Sequence, residues 1–332
     1  MSFQADGPAR STSPNRPLKV GLLLPTWVSP PDDLRWSDVL QRAREAADRG
    51  FDSLWVCDHL LLESTNAELR GRAGGQVPPG AEVLPEGYIE CFAVLAALAV
   101  AVPEVTLGTL VACTGYRNPA LLAKIADAID EISGGRFTLG VGAGDSEGEH
   151  AVFGFPHDHR MGRFEEALIV IRRLLQEGRL DFEGTYYRVR DCQLLPRGPR
   201  SSGPPILIGT LNPKRRMQRL VAQYADAWNG WFAYGVGWPE SVPPQRELID
   251  AACREHGRDP ATLARTAAVR VLMPNSPYTP PENERPLQGP PEVMAEALRG
   301  FAREGIGELV VALSPSTRES IQGFERVLRL LD

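Results

Sequence analysis

The sequence is short of the residue types on which metal and nucleophile chemistry is built. Its five cysteines (Cys57, Cys91, Cys113, Cys192 and Cys253) are scattered through 332 residues. An odd count with no C-x-x-C pair excludes a disulfide framework and a zinc site of the usual spacing, and points to a reducing, cytoplasmic setting. His150, His157 and His159 cluster, but their spacing matches no zinc motif and no H-E-x-x-H occurs. Ser146 has no G-x-S-x-G frame around it, which excludes the common serine hydrolases. Three lysines stand against 33 arginines. Lys19, Lys124 and Lys214 fall at a strand start, inside a helix and at a helix N-terminus, none of them a Schiff-base position. The longest apolar stretch, Cys91 to Val102, falls short of the ~20 residues that span a bilayer. No basic cluster is long enough to track a nucleic-acid backbone, and the net charge is −6. These absences leave a small-molecule enzyme or binding protein, with no nucleic-acid or membrane partner.

What is present is a regular alternation. The chain is 43% hydrophobic, enough for a large core. Residues 1–17 are polar, rich in Ser and Pro, and lack a signal-peptide core, so they read as a disordered tail. From Leu18 to the C-terminus, strand-like and helix-like segments follow one another. The strands are Leu18–Leu24, Ser53–Cys57, Val105–Leu110, Arg136–Val141, Pro205–Gly209, Asp226–Gly230, Thr266–Met273 and Glu308–Leu313. Helical spacing fills the intervals, as in Pro119–Ile132, Pro213–Tyr224 and Pro244–His256. Eight such units in one domain, residues 18–332, predict an α/β fold, a closed (β/α)8 TIM barrel, with an open doubly wound sheet as the rival. Three segments exceed a minimal barrel. Glu63–Gly87 is a long loop after the second strand. Leu180–Gly203 reads as a hairpin. Pro274–Pro290, with six prolines, reads as an irregular flap. Barrel chemistry sits on the loops after strands, so the first and third belong to the active face.

The densest signal is Arg117–Gly154, a helix, a tight turn, a buried strand and a glycine-rich loop. Gly142-Ala143-Gly144-Asp145 closes the fourth strand. It fails as a dinucleotide fingerprint, because that motif opens a helix at once and needs a third glycine in place. Side chains are missing there, so a flat ligand could lie against main chain; the alternative is a turn using glycine for positive φ. Asp145 stands where a carboxylate could face a bound ring, or as the N-cap of a helix over Glu147–Phe153. Asp58-His59 ends the second strand, at the mouth of a barrel. His59 there can donate a proton or hydrogen-bond a ring, or fill space while Asp58 caps a turn. After the fifth strand come Gly209, Thr210, Asn212 as N-cap, Pro213 as first helical residue, then Lys214-Arg215-Arg216. Free N–H groups and positive charge at a helix start form an anion site of phosphate type; a basic, solvated first turn is the bland alternative. Trp27, Trp55, Trp228 and Trp231 lie at or near strand ends, where they wall a pocket or pack the core.

Four blocks carry a family resemblance: G-F-D-S-L-W-V-C-D-H (Gly50–His59), R-N-P-A-L-L-A-K (Arg117–Lys124), I-S-G-G-R-F-T-L-G-V-G-A-G (Ile132–Gly144), and P-P-I-L-I-G-T with Y-A-D-A-W-N (Pro204–Asn229). In this order they make the chain resemble the luciferase-like monooxygenases, barrel enzymes that use a flavin or a deazaflavin. The resemblance implies that Asp58 and His59 sit beside the cofactor ring, and that Leu110-Val111 carries a non-proline cis peptide bulging against it. It implies that Gly142, Ala143, Gly144 and Asp145 line the cofactor, and that Gly209, Thr210 and the helix start with Lys214 hold its phosphate. Deazaflavin-dependent sugar-phosphate dehydrogenases of the family carry a Trp and a Glu where Glu63 and Asp145 stand here, which speaks against that substrate. Bacterial luciferase has an Arg where Ala143 stands, which weakens an FMN-monooxygenase reading.

The expectation is therefore an oxidoreductase using coenzyme F420 to move a hydride to or from a small organic substrate, with His59 and then Asp145 as catalytic candidates. The rivals are an FMN-dependent monooxygenase fed by a partner flavin reductase, and a cofactor-binding relative without catalysis. The resemblance also implies a homodimer.

Overall fold

Alternation with a period of two turns one face of each apolar strand inward and the other toward a covering helix. A computed structural model describes residues 16–28, 33–64, 84–274 and 276–332. Eight parallel strands close into a barrel: β1 (Lys19–Leu23), β2 (Ser53–Val56), β3 (Thr106–Thr109), β4 (Phe137–Gly142), β5 (Ile206–Thr210), β6 (Ala227–Trp231), β7 (Ala264–Leu272) and β8 (Glu308–Ser314). Closure is explicit in the register, since β1 pairs with both β2 and β8, and β4 with β5. The barrel expectation holds. The helices are α1 (Trp36–Asp48), α2 (Cys91–Ala101), α3 (Pro119–Ser133), α4 (Glu147–Phe153), α5 (Arg160–Glu177), α6 (Arg215–Tyr224), α7 (Val242–Glu255), α8 (Pro291–Arg303) and α9 (Arg318–Arg329). Among the described residues no helix is long and apolar enough to cross a membrane.

Local chemistry sets the element ends. In α3, Asn118 accepts from the N–H of Ala120 at 2.9 Å, Pro119 opens the first turn, and Gly134 ends it at φ 66°. The hairpin after α5 is real, with Arg179–Glu183 paired to Arg188–Gln193. Residues of the tail up to 15 lie outside the described ones. Arg16 does not belong to a loose tail: its guanidinium reaches Asp332, the carbonyl of Gly50 and Asp52. The long loop after β2 is not wholly irregular. Leu61–Ser64 and Leu84–Tyr88 pair antiparallel, and Trp27–Val28 adds a third strand; residues 65–83 lie outside the described ones. The proline-rich segment before α8 is pinned to the barrel by bridges from Arg285 to Val236 and Leu287 to Val271.

Two side chains, Trp55 and Val111, plug the barrel and explain its glycines. Trp55 points inward from β2, and a Cβ on Gly21 or Gly108 would come within 2.8 Å and 2.3 Å of its ring. Its indole N–H donates to Ser53 at 2.8 Å and Glu308 at 2.9 Å. Higher up, β3 carries one extra residue against β4: Leu107 pairs with Phe137 and Ala112 with Val141, five steps against four. This bulge includes the Leu110–Val111 peptide, which is cis, and it turns Val111 over the barrel axis. Gly140 belongs to the same device, because its Cβ would lie 2.0 Å from the Thr109 carbonyl oxygen. Gly140→Ala should lower the unfolding midpoint, at a cost of about 1–3 kcal/mol. Gly148→Ala, inside α4 with nothing within 4 Å, should be neutral or stabilise by about 0.5–1 kcal/mol; urea denaturation of both variants checks the contrast.

Candidate active site

The mouth lies at the C-terminal ends of the strands. Its floor is Val111. A Cβ on Gly142 would meet one Val111 methyl at 2.7 Å, and one on Gly209 the other at 2.8 Å. The two glycines therefore make room for a side chain of the protein itself. The expectation of bare main chain facing a flat ligand is corrected to this extent: a ring at the mouth would meet the half-buried Val111, while Leu110 is buried among the inward residues beneath it.

The rest of the glycine loop is likewise taken up by packing. Gly144, at φ 73°, lies against Cys113 and His150, and Gly115 presses on the same imidazole. His150 Nε2 is 3.7 Å from the Cys113 sulfur and its Nδ1 3.0 Å from the Pro156 carbonyl oxygen. Burial lowers the pKa of His150 and pushes the Cys113 thiol up to about 12, so this pair is a neutral packing unit and not a thiolate nucleophile. Ala143 is half-buried and Asp145 exposed. Ser146, not Asp145, caps α4, accepting from the Glu149 N–H at 3.3 Å.

Asp58 does not face the mouth. Its buried carboxylate accepts from Arg117 Nη1 at 2.6 Å, Arg117 Nη2 at 3.0 Å and the Cys113 N–H at 3.0 Å. Burial raises the pKa of this carboxyl, with Arg117 pulling against it. Asp58 thus ties the loop after β2 to the loop after β3, and a cofactor role for its side chain is set aside because the carboxylate is buried and both of its oxygens are bonded within the protein.

His59 is different. Its ring is half-exposed, lies 5.2 Å from the Tyr88 ring, and places Nδ1 2.8 Å from Glu149 Oε2. Glu149 is buried and also accepts from the N–H groups of Leu60 at 2.6 Å and Leu61 at 3.2 Å, and from the Tyr116 hydroxyl at 3.0 Å. Burial alone would raise its pKa. The bonds from His59, Leu60 and Tyr116 outweigh that and bring it down to about 2. An ionised Glu149 only accepts, so His59 Nδ1 carries a hydrogen and Nε2 is left for the mouth. Glu149 and Tyr116 escaped sequence reasoning. Ser146-x-x-Glu149 has capping-box spacing, a signal that points at the helix terminus and hides where the carboxylate goes.

The expected anion site is shifted by two residues. Lys214, with ψ 163°, is the N-cap of α6, so neither Asn212 nor Pro213 opens the helix. Among the described residues no side chain caps this terminus, and Lys214 and Arg215 are exposed there. Arg216 is bound by Glu165. Thr210 faces outward, where its hydroxyl accepts from the Trp228 indole at 2.8 Å; only its main chain reaches the mouth, next to Gly209. Of the tryptophans, Trp55 and Trp228 are core, Trp27 packs on Tyr88, and Trp231 stands at the mouth beside Tyr234.

A bulge in the third strand, a glycine loop after the fourth and a cationic helix start after the fifth thus frame the mouth of an eight-stranded barrel. Residues 18–278 match the family of luciferase-like monooxygenases. The chain belongs to that family, whose members work with a flavin or with coenzyme F420. It is 32% identical over 231 residues to a phthiodiolone/phenolphthiodiolone dimycocerosates ketoreductase of Mycobacterium tuberculosis, covering 68% of this chain and 58% of the relative. It is 34% identical over 178 residues to the pyrimidine monooxygenase RutA of Stutzerimonas stutzeri, covering 52% and 48%. The chain thus matches only about half the length of these relatives. An F420-dependent secondary alcohol dehydrogenase shares the fold at TM-score 0.74 and 20% identity, over 95% of this chain and 99% of that one.

Glu149 should contribute to stability with a defined pH dependence. Its folded pKa lies below its ordinary value of 4.5, at about 2. The contribution is therefore complete above pH 4.5 and lost as pH falls toward 2. The stability difference between the wild type and Glu149→Gln, on the order of 3 kcal/mol at pH 7, should shrink progressively below pH 4.5 in urea titrations. A difference that stays constant down to pH 3 contradicts the assignment.

Proposed function

We propose that the protein transfers a hydride between coenzyme F420 and a small organic carbonyl–alcohol pair. The observation that carries this reading is His59, held at the mouth by the buried carboxylate of Glu149. Reducing a carbonyl needs a proton at oxygen as the hydride reaches carbon, and oxidising the alcohol needs that proton removed. A histidine with one nitrogen fixed by a carboxylate and the other facing the pocket performs both. The ketoreductase relative supports carbonyl chemistry, and the alcohol dehydrogenase shares the barrel.

The residues present fit such a cofactor. Val111 offers a raised apolar floor for a tricyclic ring, with Ala143 at its edge. The main chain of Gly209 and Thr210 leads to the uncapped start of α6, where Lys214 and the first-turn N–H groups would hold the phosphate. The bound cofactor supplies the two-electron chemistry; the protein orients the partners, excludes water and places the proton. In the imidazolium form His59 Nε2 donates to the substrate oxygen, and in the neutral form it accepts. Glu149 stabilises the cation that forms, and Tyr116 with the Leu60 and Leu61 N–H groups keeps that carboxylate ionised. Asp145, exposed beyond the loop, is the second proton-handling candidate.

The likeness to a pyrimidine monooxygenase keeps one second reading in place, an FMN-dependent monooxygenase supplied by a flavin reductase. Oxygen uptake with an oxygenated product would select it. The homodimer belongs to the same proposal and is read by light scattering of the purified chain.

Two substitutions test the assignment. His59→Ala should slow turnover by about 10²–10⁴-fold, with the affinity for coenzyme F420, read by fluorescence quenching, nearly unchanged; normal turnover sinks the role of His59. Lys214→Ala should weaken cofactor binding by about tenfold and leave the rate at saturation unaltered. Equal affinity for the phosphate-free cofactor fragment and the intact cofactor would contradict the phosphate site.

A further inference from the structure

Opposite His59 the mouth carries a cation that the redox reading does not use. Arg270 lies on β7 two residues above Ala268, an inward-facing member of the barrel interior, and pairs with Ala312, which packs on the same interior cluster. Period-two alternation therefore points Arg270 inward, at the catalytic end. A charge at such a position is normally neutralised. Here no carboxylate pairs with it among the described residues, although most other buried or half-buried arginines of the chain have carboxylate or carbonyl partners. Arg270 is instead framed by aromatic faces, with its guanidinium carbon 4.0 Å from the Tyr278 ring centroid and 5.6 Å from that of Tyr234. Glu284 accepts from the Tyr278 hydroxyl, off the face on which Arg270 stacks. Two donors at this wall lack acceptors among the described residues, Arg270 Nε and the indole Nε1 of Trp231, whose ring contacts Tyr234 at 5.7 Å, and the second oxygen of Glu284, Oε1, lacks a donor but makes no ion pair with Arg270. Stacking holds a guanidinium by its faces and leaves its edge for planar, two-point recognition.

We propose that Arg270, with the Trp231 N–H, binds an oxyanion at the mouth, the carboxylate of the substrate, and so orients that substrate across from His59. The inference deepens the redox reading and rests on it for the word substrate. The same chemistry could serve the phosphate of the cofactor, and the test separates the two.

The test is calorimetric titration of the full chain, with and without coenzyme F420, using benzoate and its neutral isostere benzamide. Wild type should bind benzoate at least tenfold more tightly than benzamide. Arg270→Gln should lose about ten- to hundredfold in benzoate affinity, Arg270→Lys should recover only part of it because it offers no fork, and both should bind coenzyme F420 as the wild type does. Equal binding of benzoate and benzamide, or unchanged benzoate binding in Arg270→Gln, overturns the proposal. A tenfold loss of cofactor affinity in Arg270→Gln reassigns the residue to the cofactor tail and also overturns it. Should Arg270→Gln fail to fold by circular dichroism, Trp231→Phe carries the test, with a loss of about fivefold expected and no loss counting against it. Benzoate binding through Arg270 in a chain that takes neither F420 nor FMN would retire the redox reading and leave the oxyanion site standing.

Discussion

The His59 side of the mouth hangs on one buried carboxylate. Glu149 takes hydrogen bonds from His59, from two successive main-chain N–H groups at Leu60 and Leu61, and from Tyr116. These donors come from the loops after β2 and β3, and the acceptor from the helix after β4. Ionised and enclosed, the group tolerates no loss of partners, since an unpaired buried charge costs several kcal/mol. That intolerance fixes His59 to one tautomer and one orientation. The proton-transfer role proposed for His59 needs this definition more than it needs reach.

Beneath that pair the barrel is stoppered by its own side chains. Trp55 and Val111 occupy space that four glycines vacate, Gly21 and Gly108 below, Gly142 and Gly209 above. Close packing leaves no room for a Cβ at these positions. The upper plug is set by the bulge in β3, which directs Val111 over the axis and makes an apolar step at the height where the strands end. The Asp58–Arg117 pair secures the same bulge from behind by accepting the Cys113 N–H.

The mouth is electrostatically divided. The proposed proton handling gathers on the side of β2 to β4, around His59. The opposite side, β6 to β8, presents Arg270 between Tyr234 and Tyr278 and an indole N–H that has no partner among the described residues. A substrate lying between them would be gripped at an anionic end and reduced or oxidised at the other. The anion-friendly start of α6 lies at the end of β5, apart from both.

The linear pattern of the chain was enough to establish the barrel, because eight apolar strands with helices between them have few ways to bury both faces and leave no edge. It also located His59 at a strand end and a cationic helix start near Lys214, while the bulge at Leu110–Val111 was implied only by the family resemblance. Tertiary structure decided what each residue touches. Asp58 and His59 are neighbours in sequence, yet in the loop past β2 the first is tied to Arg117 and the second to Glu149. Gly142 and Gly209 looked like seats for a ligand, and the space above them belongs to Val111, more than thirty residues before the one and nearly a hundred before the other. Glu149 lay behind a helix-cap pattern, and Arg270 looked like one arginine among 33. Spacing along a chain reports which face of its own element a residue takes. Partners brought together by barrel closure come from elements far apart in sequence, and no local pattern encodes them.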